Sequence, residues 1–234
     1  FYLRPRDIAT YVGEGSLDAG LTGLDLLIDS QSKAIAVEDL RFGESTFRFA
    51  GPAAKFTDLK QLQGLRVATA YPHLVSDFLA KSGVSVTIVE LDGAVESAVR
   101  LGVADAVADV VSTGNTLRQA GLEIFGPVIL HSTAQLISAP GKESASAALL
   151  RRLRGVVVAR EYVIFDYDCP SNLVEKASAI TPGIESPTIS PLRDPEWVAV
   201  RALVRATDIN SKMDELYELG ARAILVSAIH AARI

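Results

Sequence analysis

The chain has 234 residues, 49% of them apolar and 22% charged, which is ample for a real core and excludes a disordered or low-complexity protein. With 23 basic against 28 acidic residues the net charge is -5, which excludes a broad electrostatic grip on nucleic acid or anionic lipid; any phosphate must be bound locally. The longest apolar runs, such as 155–158 and 223–229, fall well short of the ~20 residues that cross a bilayer, so no membrane span is expected.

Residues 4–43 combine a helical pattern with a buried strand. Ile8, Tyr11 and Val12 recur at helical spacing, and Gly13-Glu14-Gly15 ends that helix. Residues 18–25 read as a short strand and a Gly-bounded turn that opens the next helix near 26–30. From Thr46, short apolar strands at 47–52, 65–70, 86–91 and 104–111 alternate with helices at 57–63, 73–82, 94–101 and 114–120. That alternation predicts a mostly parallel α/β sheet.

Beyond the Ala139-Pro140-Gly141 break, a helix rich in Ala, Leu and Arg (143–154) leads to a strand at 155–165. A helix over 170–179 follows, then a Pro/Gly-rich loop (181–188) and strands near 188–192 and 197–204. An amphipathic helix at 208–219, closed by Gly220, precedes the strand 223–229. With strand 155–165 this is the βαββαβ order of a ferredoxin-like unit, a fold common among regulatory and binding modules.

The most informative stretch is ADAVADVVSTGNTLR (104–118): a buried strand, an acid near its end, then Ser112-Thr113-Gly114-Asn115-Thr116 opening a helix. Unpartnered amides at a helix N-terminus can hold a phosphate without net positive charge. Gly114 permits close backbone approach, and Ser112, Thr113 and Thr116 add hydroxyls. The same pattern also suits a plain capped helix. Asp109 favours the phosphate reading, because its two oxygens can accept from adjacent ribose hydroxyls beside the phosphate.

Other residues carry less chemistry. The single cysteine, Cys169, excludes an internal disulfide framework and reads as structural; with no secretion signal visible, a reducing cytoplasm is expected. His73, His131 and His230 show no metal-ligand spacing and read as surface or capping residues. Trp197 reads as core of the C-terminal unit. The segment FYLRPRD at Phe1 reads like the middle of a domain.

Taken together, LRPRDIATYVGEGSLDAGLTGLDLL (3–27), FRFAGP (47–52), VATAYPHLV (67–75), LDGAVE (91–96), GVADAVADVVSTGNTL (102–117) and DYDCPSNL (166–173) resemble the ATP phosphoribosyltransferases of histidine biosynthesis, long form and actinobacterial type. ITPGIESPTISPL (180–192), DPEWVAVRALV (194–204) and GARAILVSAI (220–229) extend the likeness through the C-terminal unit. The resemblance implies two catalytic domains of periplasmic-binding-protein-like α/β type around a cleft, and a third domain that binds L-histidine as feedback inhibitor. The expected spans are 1–45 with 140–161, 46–139, and 162–234. It further implies a cytoplasmic homo-hexamer built from dimers. Two departures stand out: the family's opening strand and Lys-Gly loop have no counterpart here, and Leu24 stands where relatives often have a polar residue. The expectation is a first sheet short of one strand and a chain that is catalytically incomplete as given.

The implied reaction is attack of adenine N1 of ATP on C1 of phosphoribosyl pyrophosphate, with pyrophosphate, carrying Mg2+, as leaving group. It needs no strong base or covalent nucleophile. By resemblance, Asp109 and Ser112 to Thr116 hold the ribose 5-phosphate, Glu96 meets the sugar or pyrophosphate, and Asp109 and Glu96 supply negative charge near the cationic ribose. Arg4 and Asp25 face the nucleotide. Asp168, Thr188 and backbone near Ala223 face histidine.

Plainer roles stand beside these. Arg4 suits a surface ion pair, Asp25 a first-turn acid favoured by the helix dipole, Glu96 a solvated helix residue, and Tyr71-Pro72 a rigid turn near the hinge. Asp168 suits a helix N-cap and Thr188 a strand start. Two further function classes fit the pattern: a two-lobed small-molecule receptor, and a histidine-sensing subunit without catalysis. Asp109 with its S-T-G-N-T turn argues against the receptor; the intact 109–117 loop argues against the sensing subunit, and the lack of the family's opening segment argues for it.

Overall fold

The computed structural model describes residues 1–233 as two compact units, Phe1–Ala148 and Leu149–Ile234, the last residue of the second lying outside the described range. In chain order the first unit contains α1 (Pro5–Gly13), β1 (Ala19–Gly23), α2 (Leu24–Asp29), β2 (Ile35–Asp39), β3 (Ser45–Pro52), β4 (Arg66–Thr69), α3 (Pro72–Lys81), β5 (Thr87–Glu90) and α4 (Ser97–Arg100). It continues with β6 (Ala106–Val111), α5 (Asn115–Gln119), β7 (Leu122–Ser132) and β8 (Ala134–Ser138). Helix α6 (Ala147–Glu161) leads into β9 (Tyr162–Pro170), α7 (Val174–Ile180), β10 (Thr188–Pro191), β11 (Trp197–Arg205), α8 (Ile209–Leu219) and β12 (Arg222–Ala228).

The first unit has two lobes. Lobe one is a three-stranded antiparallel sheet in the order β1-β8-β2, packed on α1 and α2 through Ala9, Val12, Leu27 and Ile137. Lobe two is a five-stranded sheet in the order β5-β4-β6-β3-β7. Alternation in β3 sends Phe47 and Phe49 to one core, with Val75, Leu79 and Phe125, and Ala50 to the other, with Val107 and Leu117.

That sheet corrects the expectation of a mostly parallel one. β5, β4 and β6 run parallel, whereas β3 pairs antiparallel with both β6 and β7. Strand β7 did not stand out in the sequence because Gly126-Pro127 interrupts its apolar run. The chain crosses this point with Gly126 at φ +67° and a register shift opposite Phe47/Phe49, and Pro127 is tolerated because β7 is an edge strand. The expected boundary at 139 also moves: β8 is the central strand of lobe one, so the chain leaves lobe two between Ser132 and Ala134. Residues 149–161 group with the second unit rather than with lobe one.

In the second unit, 155–158 is helical, part of α6, and the strand begins only at Tyr162. A short apolar run does not distinguish a buried strand from a helix, and here Gly155 sits so close to the carbonyl of Ala232 that a Cβ would lie 2.1 Å from it. The remaining order, β9-α7-β10-β11-α8-β12, is βαββαβ, and its sheet, β10-β11-β9-β12, is antiparallel throughout. Gly220, at φ +112°, ends α8 as expected. Phe165, Tyr167, Cys169, Val200 and Leu216 form the core on one face. Trp197 is not in that core: it is half-buried and alternates to the opposite face from Val198 and Val200, a correction to the sequence reading.

Candidate active site

Three parallel strands deliver their carboxyl ends to one edge of lobe two. β4 ends before Tyr71, β5 leads through Asp92-Gly93-Ala94 to Glu96, and β6 carries Asp109 before the turn at 112–114. Ligand sites of open α/β sheets collect at such an edge. The loop before Glu96 turns through the left-handed region: Gly93 has φ +104°, and Ala94, which bears a Cβ, has φ +48°.

Asp109 is half-buried, and its Oδ1 accepts from the amide of Val110 at 2.7 Å. Burial holds its carboxyl above the ordinary carboxylate range, opposed by that amide and reinforced by the negative charge of Glu96. The two residues predicted to carry charge near the sugar therefore do feel each other. After β6, Ser112 and Thr113 are exposed, Gly114 is buried at φ +72° as N-cap of α5, and Asn115 and Thr116 are exposed in its first turn. Arg118 Nη2 donates to the carbonyl of Thr113 at 3.0 Å and to Asn115 Oδ1 at 2.5 Å, pinning the turn from its own helix.

Lobe one supplies Asp25 in the first turn of α2, 7% exposed. Ser132 Oγ donates to Asp25 Oδ1 at 2.8 Å and accepts from the Asp25 amide at 3.1 Å. Gly23 leaves room for this carboxylate, since a Cβ there would lie 2.2 Å from Oδ1. The Tyr71 hydroxyl also lies within the electrostatic reach of Asp25. Burial first, then Asp25, and more weakly Asp109, push that phenol far above its ordinary value, with Arg6 opposing, so it stays a protonated donor. One phenol thus senses the acids of both lobes. Arg4 is exposed at the N-cap of α1, where its carbonyl accepts from Asp7 and Ile8.

In the second unit, Asp168 lies inside β9 opposite Ala199 and Arg222, not at a helix cap. Strand β9 runs through Pro170 and α7 starts at Val174, so the expected helix over 170–179 begins later and the capping role for Asp168 is ruled out. Thr188 opens β10 opposite Arg201, and Ala223, at φ +50°, sits in the register shift between Arg222 and Leu225. Asp168 and Thr188 share the face turned away from the helices, on strands separated by β11. Thr188 borders a cavity of about 450 Å3 with Glu185, Arg201 and Leu203. Cys169 is buried and its thiol pushed up by desolvation, consistent with a structural residue.

Sequence reasoning missed Ser132, Arg118 and Arg48. Arg48 stands directly across from Asp109 in the β3 and β6 register, donates from Nη2 to the carbonyl of Gly126 at 3.1 Å, and keeps a buried, unpartnered Nε. Only the Arg118 contact is local enough to show as a spacing.

Comparison with known proteins places the chain in a family. The family model described as ATP phosphoribosyltransferase matches residues 4–155, and that described as HisG, C-terminal domain, matches 159–231. Over the whole chain, and 84% of each relative, the sequence is 59% identical to the ATP phosphoribosyltransferase of Paenarthrobacter aurescens (strain TC1) and 58% identical to that of Arthrobacter sp. (strain FB24). Among solved structures, the ATP phosphoribosyl transferase (HisG:HisZ) complex from Thermotoga maritima is similar at 27% identity and a TM-score of 0.59, over 66% of this chain and 77% of that one. From the carboxyl-end site of its mixed sheet to its ferredoxin-like C-terminal unit, the chain belongs to the ATP phosphoribosyltransferase family, transferases of the first step of histidine biosynthesis.

Proposed function

We propose that Asp109 and the turn from Ser112 to Thr116 hold the ribose 5-phosphate end of phosphoribosyl pyrophosphate, with ATP entering from the side of Arg4 and Asp25. The observation that carries this reading is the pinned turn after β6: Gly114 in the left-handed region, exposed hydroxyls of Ser112, Thr113 and Thr116 around it, and a carboxylate three residues before. Exposed hydroxyls and backbone donors suit the phosphate, and Asp109 suits the ribose hydroxyls.

Adenine N1 forms a bond to C1 of the ribose while the bond from C1 to pyrophosphate breaks, so the electron pair leaves with pyrophosphate and N1 needs no base. The developing positive charge lies on the ribose, where Asp109 and Glu96 stabilise it, and Tyr71, held protonated by burial and by Asp25, remains a proton-bearing group at the cleft. Among the described residues no group of three or more acidic, His or Cys side chains forms a metal cage. Mg2+ is taken to enter with the substrate, as the counterion of the pyrophosphate it neutralises.

Asp168 and Thr188 are the proposed contacts for L-histidine as feedback inhibitor, with backbone at Ala223 and a neighbouring subunit completing the pocket. A cytoplasmic homo-hexamer built from dimers is the proposed assembly. Equilibrium titration of phosphoribosyl pyrophosphate into the purified enzyme tests the cleft. Micromolar to millimolar binding that Asp109→Asn weakens supports it, and binding indifferent to Asp109 refutes it.

A further inference from the structure

The two lobes of the first unit are joined by a carboxylate that neither half-site uses. Helix α3 begins at Pro72, and its N-cap, Tyr71, contributes no side-chain bond, which leaves first-turn amides in need of acceptors. Asp29, the last residue of α2 in lobe one, supplies one: its Oδ1 accepts from the amides of His73 at 3.0 Å and Leu74 at 3.1 Å. Its Oδ2 accepts from Arg6 Nη1 of α1 at 3.2 Å. Arg6 also donates to the carbonyl of Ala70 and lies over the Tyr71 ring, 5.4 Å from its centroid. Asp29 is 2% exposed, so water does not compete for these bonds.

We propose that Asp29 is a positioning residue that sets the separation of the two half-sites, capping a lobe-two helix from lobe one while Arg6 ties the junction to the segment carrying Tyr71. The inference rests on the reading that lobe two holds phosphoribosyl pyrophosphate and lobe one the nucleotide. Each half-site is built within its own lobe, so binding of phosphoribosyl pyrophosphate alone does not require the junction. The chemical step does require it, because N1 and C1 must meet at attack distance, and a misplacement of about 1 Å costs on the order of 10² in rate. A carboxylate suits this place: it takes two amides on one oxygen and a guanidinium on the other, and its charge is favoured at a helix N-terminus.

The test compares purified wild type with Asp29→Ala and Asp29→Asn, measuring kcat and, separately, the dissociation constant of phosphoribosyl pyrophosphate by calorimetry. Asn keeps an oxygen for the two amides but loses the ion pair with Arg6. The expected result is a kcat at least tenfold lower in Asp29→Ala, an intermediate loss in Asp29→Asn, and dissociation constants within about threefold of wild type in both. A wild-type kcat in Asp29→Ala overturns the proposal, as does a loss of binding equal to the loss of kcat, which would mark a general loosening of the fold.

If Asp29→Ala does not fold, spin labels on Thr10→Cys in α1 and Lys81→Cys at the end of α3, both exposed positions, decide through Asp29→Asn. A shifted or broadened distance distribution with reduced kcat supports the junction, and a wild-type distribution with wild-type kcat overturns it. The half-site reading is tested apart from this: if Asp109→Asn binds phosphoribosyl pyrophosphate as wild type does, that reading fails whatever Asp29 does.

Discussion

Ser132 and Asp25, 107 positions apart, hold each other reciprocally: the Ser132 hydroxyl donates to the Asp25 carboxylate at 2.8 Å and accepts from the Asp25 amide at 3.1 Å. Ser132 ends β7, where the chain passes from the five-stranded to the three-stranded sheet, so the bond ties α2 to the crossing between lobes. Ser132→Ala leaves a buried amide and a buried carboxylate each short of a partner, at a cost of about 1–3 kcal/mol. For a chain of this size each kcal/mol lowers Tm by about 2–4 °C, so calorimetry should show a clear drop. An unchanged Tm would mean that water replaces the hydroxyl without loss.

Asp109→Asn should separate function from stability. Turnover should fall on the order of 10²-fold, the scale of losing one preorganised electrostatic group. Stability should move the other way. Burial raises the folded-state value of this carboxyl above its ordinary 3.8. Between the two values the folded protein binds a proton that the unfolded chain has released, so stability falls as pH rises through that window and stays lower above it. Asn does not titrate. The variant should therefore match wild type in Tm below the window and exceed it at neutral pH, as a pH series of melting curves will show. A lower Tm for the variant at neutral pH would contradict this.

Gly114→Ala tests the turn. At φ +72° a Cβ costs about 1–2 kcal/mol, although the nearest heavy atom, Arg118 Nη1, would lie 3.5 Å away and leaves space. The penalty is conformational and should bend the turn away from its present form. KM for phosphoribosyl pyrophosphate should rise roughly tenfold with KM for ATP nearly unchanged, since 1.4 kcal/mol corresponds to a factor of ten. Equal changes in both would place the turn outside the phosphoribosyl half-site.

Asp168→Ala addresses the proposed histidine site. A charge-assisted hydrogen bond contributes about 1.5–3 kcal/mol, so histidine should inhibit the variant at least tenfold less well at an unaltered uninhibited rate. Inhibition at the wild-type histidine concentration would remove Asp168 from the site. Deletion of the C-terminal unit without loss of inhibition would remove the unit.

The parts of this structure that local pattern encodes were legible in advance. Short apolar strand-length runs at 197–204 and 223–229, with Gly220 after an amphipathic run, pointed to the βαββαβ order, and the acid before the S-T-G-N-T turn marked the turn beside Asp109. Local pattern failed where it is degenerate or interrupted: 155–158 suits a strand as well as a helix, and Gly126-Pro127 hides the eleven-residue strand β7. The partners of Asp25 and Asp29 were not legible for a different reason. Ser132, and the amides of His73 and Leu74, reach those carboxylates only through the tertiary fold, and no spacing along the chain records it.

The most direct measurement is a calorimetric titration of phosphoribosyl pyrophosphate with Mg2+ into the wild-type enzyme, Asp109→Asn and Asp168→Ala, run side by side. The account predicts saturable binding to wild type and to Asp168→Ala with similar affinity, and at least tenfold weaker binding to Asp109→Asn. Equal binding to wild type and Asp109→Asn, or selective loss in Asp168→Ala, would contradict it.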